Sequence, residues 1–211
     1  MGKFMGLPKG IRRVVFAKCN DARSLCNVDA LQSLTRLKSM EIWECDGMEC
    51  LLSLPKYTFR SLEVLRFQGL NRLRFLFARE LDLSPIVYRF YGVFSSLKTF
   101  IMRRCPTVTK LFSTVLLRNL QNLEVIEVEH CSLLEEIVAL DPMVTTFDAS
   151  LPKLRILKLR KLPQLKSICS RKLLSNQLHE ISIIDCLKLE NVPFFELGDN
   201  APAPASLRRI Q

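Results

Sequence analysis

The sequence has two histidines, one tryptophan and three tyrosines among its 211 residues, and none of its apolar runs exceeds five residues. A helix that crosses a bilayer needs roughly 20 consecutive apolar residues, so no such helix can be drawn here. The first ten residues lack the apolar core of an export signal, and Gly6 stands where a myristoylation motif requires Ser or Thr. These absences predict neither export nor a lipid anchor. The patterns G-x-x-x-x-G-K-[ST], G-x-G-x-x-G, H-E-x-x-H and G-x-S-x-G are missing as well, which excludes their phosphate cradles, metalloprotease centre and nucleophile elbow from these residues. None of the eight Asn residues begins an Asn-x-Ser/Thr sequon.

What is present is a composition 48% hydrophobic and 25% charged, with only 7 Gly and 10 Pro, the balance of a folded domain rather than of a disordered chain. Eight cysteines without an export signal or sequons favour a reducing compartment, and a cytoplasmic location is expected. The net charge of +10 raises nucleic acid as a partner, but it is unevenly spread. Residues 1–50 carry +2, 51–118 carry +9, 119–150 carry −7, 151–195 carry +6 and 196–211 carry 0. The acidic block interrupts any continuous basic track, and aromatic residues for base stacking are not interleaved with the basic ones, so no nucleic acid partner is expected.

One template recurs along the chain: L-x-x-L-x-x-L-x-L-x-x-C-x-x-L-x-x-L. Clear copies are Leu34, Leu37, Met40, Ile42, Cys45, Met48, Leu51; Phe94, Leu97, Phe100, Met102, Cys105, Val108, Leu111; and Leu120, Leu123, Ile126, Val128, Cys131, Leu134, Ile137. Two more, starting at Phe59 and Leu151, place Leu70 and Leu162 where the others have Cys. The outer copies start at Pro8 and Ser175, and an eighth begins at Leu207 and Ile210. Seven copies give 49 template places, of which 47 are apolar, against about 24 expected from composition alone. The residues interleaved with the central pair are mostly polar.

The central x-L-x-L-x is the period-two signature of a strand with one buried side. A single copy cannot bury its apolar side, so copies stack, their strands pair in parallel, and the template residues merge into one core. The Cys/Leu places at 19, 45, 70, 105, 131, 162 and 186 are separated by 24 to 35 residues, a spacing that fits leucine-rich repeats. The fold expected is a horseshoe-shaped solenoid of the α/β class, a single domain over 1–211, with a parallel sheet on the concave face and a mostly irregular convex side. Strands are expected at 15, 41, 66, 101, 127, 158 and 182. The longer spacings place insertions near Arg79 to Val93, Asp141 to Ser150 and Glu196 to Ser206, and Phe112 to Asn119 is expected to carry a short helix.

Cys19, Cys45, Cys105, Cys131 and Cys186 fall at the same template place, just after the strand, where a small polar group can meet backbone groups of the turn. They are read as buried, reduced, structural thiols. There is no C-x-x-C and the nearest imidazole, His130, is alone, so no metal site is expected. Glu127 with Glu129 and Glu135 with Glu136 are carboxylate pairs, but flat solvated carboxylates without a pocket rarely have shifted pKa values. No enzyme, catalytic residue or cofactor is expected.

The phrases FSSLKTFIMRRCPTVTKLFSTVLLRNLQNLEVIEVEHCSLLEEIV (94–138) and LPKLRILKLRKLPQLKSICS (151–170) resemble the leucine-rich repeats of plant intracellular coiled-coil nucleotide-binding disease-resistance proteins. The Cys105-Pro106 turn, the Leu-Glu-Glu-Ile ending and the Leu-Pro-x-Leu-Lys-Ser-Ile phrase carry the resemblance, and LPKGIRRVVFAKCNDARSLCNV (7–28) supports it. The resemblance implies a module that recognises pathogen effectors or guarded host proteins and holds a neighbouring nucleotide-binding domain inactive. The sequence contains neither that domain nor a coiled coil, so a fragment of a larger receptor, monomeric in isolation, is expected. A leucine-rich-repeat substrate adaptor of a ubiquitin ligase is the alternative; the F-box helices that would support it are not in the sequence.

The same register predicts a binding surface. Val15, Glu41, Arg66, Ile101, Glu127, Lys158 and Ser182 form one row of outward residues, and Ala17, Trp43, Gln68, Arg103, Glu129, Arg160 and Ile184 form the next. Arg103, then Glu127 and Glu129, then Lys158 and Arg160 make stripes of alternating sign, which either pair with one another or, through Arg66, Arg103, Lys158 and Arg160, dock an acidic partner. Trp43, out of place in water, marks the partner contact on the second reading.

Overall fold

The three-residue spacings of the template close turns. In the first half of each copy but the last described one, the fourth residue's N–H donates back to the first residue's carbonyl, as Leu37 to Leu34 (3.3 Å), Leu97 to Phe94 (2.9 Å) and Leu154 to Leu151 (3.1 Å). After most strands of the template the same bond returns, Met48 to Cys45 (3.1 Å) and Leu134 to Cys131 (3.2 Å). Both flanking residues of such a turn point inward, which is why L-x-x-L and C-x-x-L are apolar at their ends and polar between. The structure, a computed structural model, describes residues 8–25, 31, 34–52, 59–77, 92–139, 149–170 and 173–190.

Seven strands and a helix come first along these residues: β1 (Arg13–Ala17), β2 (Ser39–Trp43), β3 (Cys50–Leu52), β4 (Val64–Gln68), β5 (Phe75–Phe77), β6 (Thr99–Arg103), β7 (Lys110–Ser113) and α1 (Thr114–Leu117). Then follow β8 (Val125–Glu129), β9 (Glu136–Ala139), β10 (Ala149–Ser150), β11 (Ile156–Arg160), β12 (Ser167–Cys169), β13 (Leu173–Leu174) and β14 (Glu180–Ile184). One wide parallel sheet runs β1-β2-β4-β6-β8-β11-β14, its strands centred on the seven residues that the alternation predicts. Pairing is in register throughout, so Val15, Glu41, Arg66, Ile101, Glu127, Lys158 and Ser182 are successive partners.

Each strand is entered through the same fork. The carbonyl before one strand accepts two N–H groups from the next repeat, as Lys38 does from Glu63 (2.8 Å) and Val64 (2.9 Å), and as Glu124 does from Arg155 and Ile156. Inside, Met40, Ile42, Leu65, Phe67, Phe100, Met102, Ile126, Val128, Leu157 and Leu159 are 0–1% exposed, and burying each such side chain contributes about 1.5–3 kcal/mol. Phe100 meets Phe67 edge-on at 5.7 Å and Phe112 at 5.1 Å, tying the wide sheet to the opposite layer.

That opposite layer is more regular than the sequence suggests. It carries short parallel sheets, β3-β5, β7-β9-β12 and β10-β13. Their buried residues are consecutive, as Leu51-Leu52, Leu111-Phe112 and Ile137-Val138, so they give no period-two signal; the clue was the second apolar residue after the last template Leu. The helix expected between Phe112 and Asn119 is present as one turn, with Ser113 capping it through its hydroxyl, which accepts from the Leu116 N–H (3.3 Å). Val192, the eighth copy at Leu207 and Ile210, the segment from Glu196 to Ser206, and nearly all of the other two expected insertions lie outside the described residues.

The residue after every strand of the wide sheet is left-handed: Lys18, Glu44, Gly69, Arg104, His130, Lys161 and Asp185, with φ between 52° and 66°. Only one is glycine, and the others each hold a backbone costing roughly 1–2 kcal/mol for an L-residue. The bend lets the next residue turn into the core while, in every copy but that of the edge strand β14, the bent residue's own N–H stays in the ladder. Lys18 donates to the Trp43 carbonyl (2.9 Å), Glu44 to Gln68 (2.8 Å) and Arg104 to Glu129 (2.9 Å).

Candidate functional site

The five turn cysteines stand in that inward place. Each thiol donates to the last carbonyl of its own strand: Cys45 to Trp43 at 3.3 Å, and Cys105, Cys131 and Cys186 to Arg103, Glu129 and Ile184 at 3.5 Å. The Cys45 sulfur also accepts the N–H of Cys19 from the preceding repeat (3.3 Å). The thiols therefore meet turn backbone groups, as the sequence suggested. Cys45, Cys105 and Cys131 are fully buried, whereas Cys19 and Cys186, in the first and last described repeats, are only half-buried. Burial pushes the Cys45 and Cys186 thiols up, and Cys105 is held well up by its hydrogen bond to Cys131 together with burial. Cys19, Cys45, Cys105, Cys131 and Cys186 are all free thiols. Among the same residues no group of three or more His, Cys, Asp and Glu side chains is placed to hold a metal, and no helix is long and apolar enough to cross a membrane.

The outward rows are where the polar chemistry lies. Trp43, at the end of β2, is 37% exposed, so the outward position that the alternation gave it holds. Glu41, two residues earlier, is not solvated as its row position implied: it is 4% exposed. Arg13, reaching diagonally from β1, grips one carboxylate oxygen through Nε (3.0 Å) and Nη2 (2.9 Å), and Arg66 from β4 approaches the same oxygen at 3.5 Å. The two guanidiniums roof the carboxylate. This cover needs the cross-strand register to be known, because Arg13 and Arg66 belong to different repeats.

Glu41, Trp43, Arg66, Gln68, Ile101 and Arg103 enclose a depression of about 260 Å³ on the face of β2, β4 and β6. Arg103 bounds it on the far side. Its Nη2 hydrogen-bonds Glu127 and its Nε lies 3.6 Å from Glu129; the Glu127 bond, partly opposed by burial, raises the guanidinium pKa further. The alternating stripes of the sequence are thus joined across strands: Arg103 with the acidic pair of β8, and Lys158 with Glu180 of β14 (2.9 Å). Glu127 and Glu129 are accordingly half-buried. Arg160 is exposed and has no ion-pair partner among the described residues. Of the seven candidate residues, the structure gathers Trp43, Arg66 and Arg103 round one depression, sets Glu127 and Glu129 behind Arg103, and leaves Lys158 and Arg160 together on β11, one strand further along.

A family model for the leucine-rich repeats of plant disease resistance proteins of the RPS2-like type matches residues 85–196, just over half of the chain. The probable disease resistance protein At4g27220 of Arabidopsis thaliana is 28% identical over a gapped alignment 187 positions long that covers 76% of this chain and 20% of that protein. The chain thus spans about a fifth of the relative's length. The family match falls on the repeats from β6 to β14, whose stacked parallel strands and turn cysteines have been described, and with it the chain belongs to the leucine-rich-repeat family of plant disease resistance proteins.

Proposed function

We propose that the chain is the protein-recognition and autoregulatory module of an intracellular plant immune receptor, cytoplasmic, without catalytic activity of its own and monomeric in isolation. Its partner is a pathogen effector, a guarded host protein or the receptor's own nucleotide-binding domain. The observation that carries this reading is the outward face of the wide sheet, where Trp43 lies half-exposed beside arginines fixed by carboxylates. Trp and Arg are the residues most enriched at the energetic centres of protein interfaces. Cancellation of Arg103 by Glu127 and Glu129 breaks any cation track that a nucleic acid backbone would follow.

The test is made in the full-length receptor expressed in leaf cells, with Arg103 and Arg160 both reversed to Glu. The expected result is a lost effector response or effector-independent cell death, with the isolated variant still giving a strand-type circular dichroism spectrum. A folded double variant that behaves as wild type in both assays removes the face from consideration.

A further inference from the structure

Within that face the charges do not cancel evenly. Glu41 makes its close bonds to Arg13, at 2.9 and 3.0 Å, and only a 3.5 Å contact to Arg66. One carboxylate among two guanidiniums leaves a net positive charge, and the looser partner carries it: the Arg66 side chain is 42% exposed and borders the depression. On the other side Arg103 meets two carboxylates, Glu127 and Glu129, so the surplus there is negative and lies on β8, beyond Arg103 and two strands from Arg66. Between them, Trp43 and Ile101 supply apolar walls, and Gln68 lies in register between Trp43 and Arg103.

We infer that this depression anchors an acidic segment of a partner protein, an Asp or Glu carboxylate pairing with Arg66 while a neighbouring large apolar side chain packs on Trp43 and Ile101. The inference rests on the recognition reading above and narrows it to one site and one ligand chemistry. The geometry suits an anchor because Glu127 fixes Arg103 as one wall while Arg66, only loosely held by Glu41, is open to an incoming carboxylate. A carboxylate arriving at Arg66 is bound in a hollow partly shielded from water by Trp43, where a charge-assisted hydrogen bond is stronger than on open surface. Inside the depression the one carboxylate, Glu41, is already covered by Arg13 and Arg66, so a basic segment meets the exposed Arg66 with no carboxylate open to it, which makes the site selective for sign.

The experiment uses the 211-residue chain and a phage-displayed library of random dodecapeptides, with a parallel library lacking Asp and Glu. Trp43 is the sole tryptophan, so its fluorescence reports on this depression alone. The expected result is enrichment, from the first library only, of peptides with an acidic residue within two positions of a large apolar one. Synthetic copies should change Trp43 emission and bind about tenfold or more weakly to Arg66→Gln, with Arg66→Lys recovering part of the loss. Gln at 66 leaves Glu41 its two Arg13 bonds, so the variant should fold. No enrichment, enrichment of basic or uncharged peptides, an unmoved Trp43 signal, or equal binding to Arg66→Gln would each overturn the inference. If Arg160→Glu abolishes binding while Arg66→Gln does not, the recognition face stands and this anchor falls. If both variants bind as wild type, the face itself falls.

Discussion

Truncating Arg13 to Ala is expected to destabilise the fold more than replacing Glu41, the carboxylate it binds, although either change deletes the same ion pair. Without Arg13, a carboxylate that is 4% exposed keeps only the 3.5 Å contact to Arg66. A buried charged acceptor left short of partners costs about 1–3 kcal/mol, and the larger penalty of a fully orphaned buried charge is avoided because Arg66 remains. The expected loss is therefore about 2 kcal/mol, or a fall in Tm of about 4–8 °C for a chain of this length. Glu41→Met keeps the volume and removes the charge. The two guanidiniums it strands are 63% and 42% exposed and rehydrate freely, so the loss should stay within about 1 kcal/mol. Combining Arg13→Ala with Arg66→Ala should cost more than the sum of the two, because the second removal orphans the carboxylate. Urea unfolding followed by Trp43 fluorescence and by far-ultraviolet circular dichroism measures all four variants. Glu41→Met proving as damaging as Arg13→Ala, or Arg13→Ala leaving the midpoint unmoved, would refute the reasoning.

Ile126→Ala and Leu157→Ala, at core places 0–1% exposed, should each lose about 2–5 kcal/mol by chemical denaturation, and Ile126→Asp should yield no folded protein. Gly47→Ala should lose about 1–3 kcal/mol, because the added Cβ would sit 1.8 Å from the Asn20 backbone carbonyl oxygen, which cannot swing aside. Cys45 and Cys105 should react slowly with a thiol reagent in the native chain and at once in urea, the native rate rising with pH since their thiols lie above the ordinary value of 9.0; rapid native labelling at neutral pH contradicts the burial argument. Hydrogen bonds from Lys38 and Lys98 hold Glu63 below its ordinary 4.5. That lowered carboxyl stabilises the fold fully above about pH 4.5 and loses the effect as pH falls through its folded value. The contribution is under about 1 kcal/mol at so exposed a site, and the acid limb of the stability curve should flatten in Lys38→Gln/Lys98→Gln.

The wide sheet was legible because apolar template residues recur at every second place along its strands, a signal present in the sequence of every copy even where burial does not follow it, at Glu41 in β2 and along the half-buried β14, and the register of the two outward rows followed from aligning the copies. The second layer was not, since Leu51-Leu52 and Ile137-Val138 bury neighbours in succession. The left-handed turns were hidden for another reason: Lys18, Glu44, Arg104 and Lys161 carry side chains that ordinarily avoid positive φ. Tertiary pairing holds them there, through N–H groups committed to the next strand. Glu41 shows how a local reading fails on a charged residue. Its position on the outward row was right, yet its burial is imposed by arginines 28 residues before it and 25 after it in the chain.

In-register pairing also governs how such a chain can change length. A residue lost inside a strand would turn every later side chain of that strand to the wrong face. Extra residues between strands do no such harm: 35 residues separate Leu70 from Cys105 and 31 separate Cys131 from Leu162, yet β4 pairs β6 and β8 pairs β11 without a slip. Deleting or duplicating one whole repeat would shift all later columns sideways by one strand spacing, about 4.8 Å, and keep both rows unbroken. The outward face is thus a lattice addressed by repeat and by row. Unequal recombination between repeats can slide one block of its chemistry past another, Trp43 and Arg66 relative to Lys158 and Arg160, while each strand end still finds its partner.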